Sequence, residues 1–278
     1  MMDRVATKSL AFQKMHGIGN DFVILDARAA DVSLTPALAS ALADRHMGVG
    51  ADLICVIEND PDADARLTFH NADGSPSAAC GNATRCVALK LEEEDGPADR
   101  RFITDFGALD VRRAGQGLYS VNMGQPAMRW QDIPLARDVD LDALPIDGAP
   151  AAAGMGNPHM IFHVDDANAI DPAQDGATLE HHPLFPERTN VEFCSINPDG
   201  TIRMRVWERG VGVTMACGSG ACAVVVAFAR QGKVARHTQV HLDGGTLDID
   251  WREDGVWMTG PATHVFDGTL DIDRLLGR

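Results

Sequence analysis

The stretch CGSGACAVVVAFARQ, residues 217–231, is apolar on most sides of a helix, and Gly232 follows as a stop. A helix of that kind does not lie on a surface, so it predicts a buried rod wrapped by strands. Its head, Cys217-Gly218, has a counterpart at Cys80-Gly81, 137 positions earlier. The same offset relates Gly17-Ile18-Gly19-Asn20 to Gly154-Met155-Gly156-Asn157. The strand before each cysteine also keeps phase: Ala65, Leu67 and Phe69 alternate as Ile202, Met204 and Val206 do, the period of a half-buried strand. A chance register in a glycine-rich chain is the alternative. A tandem duplication explains all three matches together and predicts two similarly folded halves, each with a helix that begins at Cys-Gly.

Outward from these anchors, short apolar runs bounded by Gly, Asn, Asp and Pro predict strands near 10–14, 22–26, 53–58, 65–70, 101–104, 118–122, 159–164, 191–196, 201–207 and 238–242. A further helix is expected over 36–47, with Thr35 as cap, Pro36 in the first turn and Gly48 after the end. Between Gly124 and Pro158 the periodicity lapses and Pro126, Pro134, Pro145 and Pro150 accumulate, which marks an inter-domain crossing.

The 278 residues accommodate one large domain or two of moderate size. Acidic residues outnumber basic ones 40 to 24, a formal charge of −16 that repels phosphate backbones and anionic lipid and so argues against nucleic acid and membrane partners. The longest apolar run, 221–229, is about half of a membrane span, and residues 1–16 lack the apolar core of an export signal. Six cysteines are too sparse for a disulfide scaffold and form no CxxC pair, so thiols in a reducing cytoplasm are expected and no metal site is indicated.

A cysteine at a helix start is commonly a small buried hydrophobe. Two in matched Cys-Gly settings point instead to chemistry. Unpaired N–H groups and the helix dipole stabilise a thiolate, so a pKa below the ordinary thiol value is expected at Cys80 or Cys217. Gly81 and Gly218 let backbone donors approach a carboxylate. One thiolate and one thiol, acting on opposite faces of a carbon beside a carboxylate, suit inversion of an amino-acid stereocentre. Donors aimed at that carboxylate stabilise the carbanion without pyridoxal phosphate. None of the four lysines, Lys8, Lys14, Lys90 and Lys233, has surroundings that suggest that cofactor. Cys86, Cys222, Cys55 and Cys194 read as core.

The segments MHGIGNDFVILD (15–26), RHMGVGAD (45–52), NADGSPSAACGNATRC (71–86), VNMGQP (121–126), GMGNPH (154–159), FPERTNVEF (185–193) and WERGVGVTMACGSGACA (207–223) resemble the diaminopimelate epimerase family, in order and over nearly the whole chain. The resemblance implies cofactor-free, two-base interconversion of LL- and meso-2,6-diaminopimelate, serving lysine and peptidoglycan synthesis. It implies an α/β (α+β) fold of two pseudo-symmetric domains, each a mixed, mostly antiparallel sheet curled around a central helix, with the last strand returning to the first domain. The domains expected are residues 1–124 plus 267–278 and residues 125–266, with the active site in the cleft between them. Carried over by the resemblance, Cys80 and Cys217 are the catalytic thiols, and His159 and Glu208 assist them. The implied substrate-binding residues are Asn20, Asn71, Gly81, Asn82, Asn157, Asn190, Glu208, Arg209, Gly218 and Ser219. Among these, Glu208, opposite Asn71, and Arg209, opposite Ala72, break the 137-residue symmetry and suit the ammonium and carboxylate of the distal centre. A homodimer is left open.

The chain departs from the family pattern at Leu53, where a pocket Gln is usual, and at Val213 and Pro76, each in place of a Glu. An apolar Leu53 removes a hydrogen bond and bears on substrate identity. Rival readings are a same-fold racemase of another amino acid such as histidine or proline, a cysteine hydrolase pairing Cys80 or Cys217 with His159, and a non-catalytic thiol sensor.

Overall fold

The structure is a computed structural model that describes residues 9–29, 32–77, 80–94 and 96–277. In chain order the first half forms β1 (Ser9–Gly17), β2 (Asn20–Asp26), α1 (Pro36–Ala43), β3 (Leu53–Glu58), β4 (Ala65–Asn71), β5 (Pro76–Ser77), α2 (Gly81–Glu93), β6 (Arg100–Thr104), β7 (Gly107–Gly115) and β8 (Leu118–Asn122). The second half forms β9 (Ala151–Gly154), β10 (Pro158–His163), α3 (Pro172–Glu180), β11 (Asn190–Ile196), β12 (Ile202–Glu208), β13 (Gly212–Val213), α4 (Gly218–Arg230), β14 (His237–Leu242), β15 (Gly245–Arg252) and β16 (Gly255–Pro261). β17 (Thr263–Asp271) and the short α5 (Ile272–Leu275) end the chain.

The two series repeat one another element by element. β3, β4 and α2 begin 137 residues before β11, β12 and α4. Pairing repeats as well: β2 is parallel to β3, β3 antiparallel to β4, and β4 parallel to β6, as β10 is parallel to β11, β11 antiparallel to β12, and β12 parallel to β14. The alternation read from the sequence is the observed one, with Ala65, Leu67, Phe69, Ile202, Met204 and Val206 all buried. The duplication expected from the sequence is therefore present in the topology.

Each repeat carries its helix inside. In α4 every residue from Gly218 to Phe228 except Ser219 is buried, which an all-apolar helix requires, and it packs on β9, β10, β11, β14 and β15. α2 is buried from Gly81 to Ala88 and packs on β1, β7 and β17. The strands around each helix are mostly antiparallel.

Contacts divide the chain into two units. One comprises the chain through Gly17, Asp21–Tyr119 and everything from Pro261 on; the other comprises Ile18–Asn20 and Ser120–Gly260. All of β17 belongs to the first unit because it is antiparallel to β1 from Ser9–Asp271 to His16–Thr263. The segment 124–158 is not a crossing. It lies within the second unit, where Ile133, Leu135 and Leu144 join Met160, Phe162, Phe185, Val191 and Phe193 in one core, so burial rather than periodicity orders it.

α1 is shorter than its sequence suggests. Thr35 Oγ1 accepts the Leu38 N–H at 3.2 Å and caps the helix as expected. At the other end the Asp44 carboxylate accepts the N–H groups of His46 and Met47 (2.7 and 2.8 Å), and this local competition stops the helix at Ala43, before Gly48. The sequence reading missed α3, although Asp171 caps it by accepting the Ala173 N–H and Pro172 occupies its first turn.

Candidate active site

In the first unit Cys80 is the N-cap of α2, with extended dihedrals, and is partly exposed. Its carbonyl accepts both the N–H and the hydroxyl of Thr84, at 2.9 and 2.8 Å, which fixes the first turn. Gly81 and Asn82 follow as the first helical residues, both buried. Asn82 Oδ1 accepts from Arg85 Nη2 at 2.9 Å, and Arg85 Nε donates to the Pro261 carbonyl at 3.4 Å. Arg85 is fully buried, a guanidinium inside a helix core that sequence reading passed over. Gly17 makes room for it: a Cβ there would lie 2.9 Å from Arg85 Nη2. Asn71 ends β4 opposite Leu53, the buried first residue of β3. The Asn71 amide donates to Ser75 Oγ at 3.0 Å, and the same turn recurs at Asn197, whose amide donates to Thr201 Oγ1 at 2.9 Å.

In the second unit Cys217 caps α4, and the Gly220 N–H points at its sulfur (3.4 Å) with Ser219 Oγ 3.6 Å away. Gly218 is the first helical residue. The lowered pKa expected at this thiol is not found. Burial pushes Cys217 up, the carboxylates of Glu208 and Glu192 push it further, and the Ser219 and Gly220 donors do not offset them. Cys217 is therefore a thiol at neutral pH. Burial likewise pushes Cys86 up to about 12, in keeping with a core role.

Glu208 ends β12 and accepts from the Thr214 hydroxyl. Arg209 follows in the turn that Gly210 and Gly212 allow with φ of +76° and +103°. Its guanidinium is half-buried, donates to the Glu187 carbonyl at 3.1 Å, and makes no ion pair among the described residues. Burial, with Arg188 nearby, lowers its pKa. Asn190, expected to touch substrate, uses its side chain within the protein: Nδ2 donates to the Pro158 carbonyl (3.0 Å) and Oδ1 accepts the Arg209 N–H (2.8 Å). Asn157 Oδ1 meets His159 Nε2 at 2.8 Å, and His159 Nδ1 meets Glu192 Oε1 at 2.6 Å.

Asn20 is buried at the start of β2, and the turn before it, 18–20, belongs to the second unit. A Cβ on Gly19 would touch the Met215 side chain at 3.1 Å, and one on Gly244 would strike the Ile18 carbonyl at 1.8 Å. The turn is thus pressed against the segment that leads to Cys217.

Of the residues expected at the site, Asn20, Asn157, His159, Asn190, Glu208, Arg209, Cys217, Gly218 and Ser219 belong to the second unit, and Asn71, Cys80, Gly81 and Asn82 to the first. Sequence reasoning missed Arg85, Glu180 and Glu192. Glu180 Oε1 accepts from Arg188 Nη1 (3.1 Å) and the Gly210 N–H (3.0 Å), while Oε2 accepts from Trp207 Nε1 (2.7 Å), so one buried carboxylate shapes the Glu208-Arg209 turn. No period in the sequence marks Glu192: alternation along Val191-Glu192-Phe193 puts it on the face opposite its two apolar neighbours, and in β11 both faces are buried.

The family model described as diaminopimelate epimerase matches residues 12–129 and 151–265. The chain is 51% identical over 270 residues to the diaminopimelate epimerase of Acidiphilium cryptum (strain JF-5), covering 95% of this chain and 97% of that one. It is 49% identical over 273 residues to that of Rhodospirillum centenum (strain ATCC 51521 / SW), covering 96% and 94%. Among solved structures it resembles a hydroxyproline epimerase from Agrobacterium vitis with bound trans-4-hydroxy-L-proline (TM-score 0.70, 15% identity, 98% and 94% covered). It also resembles a probable proline racemase from Agrobacterium radiobacter K84 (TM-score 0.68, 16% identity, 93% and 92% covered). At those identities the structural likeness carries the fold alone. With two Cys-Gly helix heads in a duplicated fold, and with about half its residues shared with these relatives over nearly their whole length, the chain belongs to the diaminopimelate epimerase family.

Proposed function

We propose that the protein is a cofactor-free epimerase that interconverts LL- and meso-2,6-diaminopimelate, with Cys80 and Cys217 as its two bases. The observation that carries this reading is the repetition of one thiol at the head of one buried helix in each of two equivalent units. Inversion needs one sulfur to take the α-proton as thiolate and another to return a proton from its thiol to the opposite face of the carbon. The buried, protonated Cys217 suits the donor, which leaves Cys80 as the acceptor when LL-substrate is bound; the roles exchange in reverse. Backbone N–H groups at Gly81, Asn82, Gly218 and Ser219 suit the reacting carboxylate and offset the charge that builds on it as the α-carbon loses its proton. Asn20, Asn71 and Asn157 supply polar contacts, His159 polarises the site beside Asn157, and Asn190 holds Arg209 in place. Glu208 and Arg209 take the ammonium and carboxylate of the distal centre. Two catalytic thiols require a reducing compartment, so the enzyme works in the cytoplasm.

The test is incubation with LL-diaminopimelate in deuterated, reducing buffer without cofactor. Deuterium at the α-carbon together with meso product is expected, and its absence would refute the reading. A second reading, a racemase of another amino acid, is favoured by Leu53, which places a buried apolar side chain where a hydrogen-bonding one is usual. Exchange into proline or histidine but not into diaminopimelate would select it.

A further inference from the structure

Glu192 is a carboxylate with no exposed surface in the middle of β11, an arrangement too costly to persist without a task or a partner. One oxygen has a partner, His159 Nδ1 at 2.6 Å, on a ring that is also wholly buried. The other, Oε2, has no hydrogen-bond partner among the described residues. Oε1 also faces the first turn of α4. A Cβ placed on Gly220 would lie 2.7 Å from it and 3.2 Å from Cys217 Sγ, so carboxylate and sulfur stand less than 6 Å apart. Glycine at 220 is what allows that approach.

We propose that Glu192 is a positioning residue of the epimerisation, which holds the proton of His159 on Nδ1 and sets its charge behind Cys217 so that the sulfur keeps its proton until substrate is in place. The inference rests on the epimerase reading above. An ionised carboxylate only accepts, so the 2.6 Å contact places a proton on Nδ1; Asn157 Oδ1, 2.8 Å from Nε2, accepts as well, so the ring donates on both sides and Glu192 carries the balancing charge. The groups facing Cys217 are Glu208 on β12 and Glu192 on β11, both acidic, and those facing Glu192 are His159 on β10 and Cys194 on its own strand. Burial raises the Glu192 carboxyl and His159 opposes that rise. An ionised Glu192 opposes a second negative charge on the sulfur beside it. A thiol held in this way donates its proton only when a carbanion forms beside it.

Two measurements test this. The first needs no substrate: the rate of alkylation of Cys217 by iodoacetamide, followed peptide by peptide against pH. Glu192→Gln removes the charge, and the midpoint is expected to fall by about half a unit to two units. Glu192→Asp keeps the charge and is expected to keep the wild-type midpoint. The second is steady-state epimerisation. Glu192→Gln, Glu192→Asp and His159→Gln should each lower kcat by about 10- to 100-fold with KM little changed, and Glu192→Gln/His159→Gln should be no worse than the poorer single variant, since the two act as one unit. An unshifted midpoint in Glu192→Gln, or multiplicative losses in the double variant, overturns the proposal. If Glu192→Gln does not fold, wild-type kcat in Glu192→Asp overturns it. If wild type itself does not exchange diaminopimelate, the functional reading falls, and the alkylation profile still decides whether Glu192 governs Cys217.

Discussion

The side chain of Asn190 spans from the Pro158 carbonyl to the Arg209 N–H, at 3.0 and 2.8 Å, and so ties the start of β10 to the turn that follows β12. Both partners are backbone groups, and Asn190 is buried. Asn190→Ala leaves them unpaired inside the protein, a cost of about 1–3 kcal/mol. Urea denaturation should show that loss, and because Arg209 moves with its turn, KM should rise by more than kcat falls.

Cys80→Ala and Cys217→Ala should each reduce epimerisation by at least about a hundredfold, the usual scale for loss of a proton-transfer group. Coupled measurement of product isomers and α-deuterium separates the two steps. Full activity in either variant would remove that thiol from the mechanism.

Arg85 and Gly17 form a packed pair beneath Asn82. Gly17→Ala puts a methyl 2.9 Å from the guanidinium, which has little freedom to retreat because it is wholly buried. The expected destabilisation is about 1–3 kcal/mol. Arg85→Met should cost at least as much and should also raise KM, since Asn82 Oδ1 loses its donor. Thermal unfolding and initial rates on the two variants check both expectations.

Acid should unfold the first unit through Asp21. Burial raises this carboxyl, but hydrogen bonds from Arg45 and Lys14 outweigh burial and hold it at about 2, against an ordinary 3.8. Asp26 is held at about 2 in the same way, by Arg28. A folded-state value below the unfolded one contributes stability that is complete above about pH 4 and is lost as the pH falls toward 2. The melting temperature should therefore drop steeply over that window, and Asp21→Asn should flatten the drop while lowering stability at neutral pH.

Gly176 lets α3 lie against Trp207, where an added Cβ would sit 2.5 Å from the indole Cγ. Gly176→Ala should push Trp207 away from Glu180, with loss of about 1–3 kcal/mol and a change in tryptophan fluorescence. Rates should fall too, since Glu180 also holds the Gly210 N–H beside Arg209.

Local pattern made much of this molecule legible. The alternation of Ala65-Leu67-Phe69 and Ile202-Met204-Val206 and the apolar run after Cys217 are properties of neighbouring residues, and their recurrence at an offset of 137 determines the duplicated fold and the two thiol-bearing helix heads. Distant contacts decided the rest. That Asn190 serves Arg209, that Arg85 lies buried under Asn82, and that Ile18–Asn20 packs with Met215 depend on which strands meet, and no period in the sequence records that. The charge state of Cys217 belongs to the same class. A helix N-terminus alone favours a thiolate, but burial and the carboxylates of Glu208 and Glu192, brought from β12 and β11, reverse that preference, because desolvation and nearby charge are set by packing.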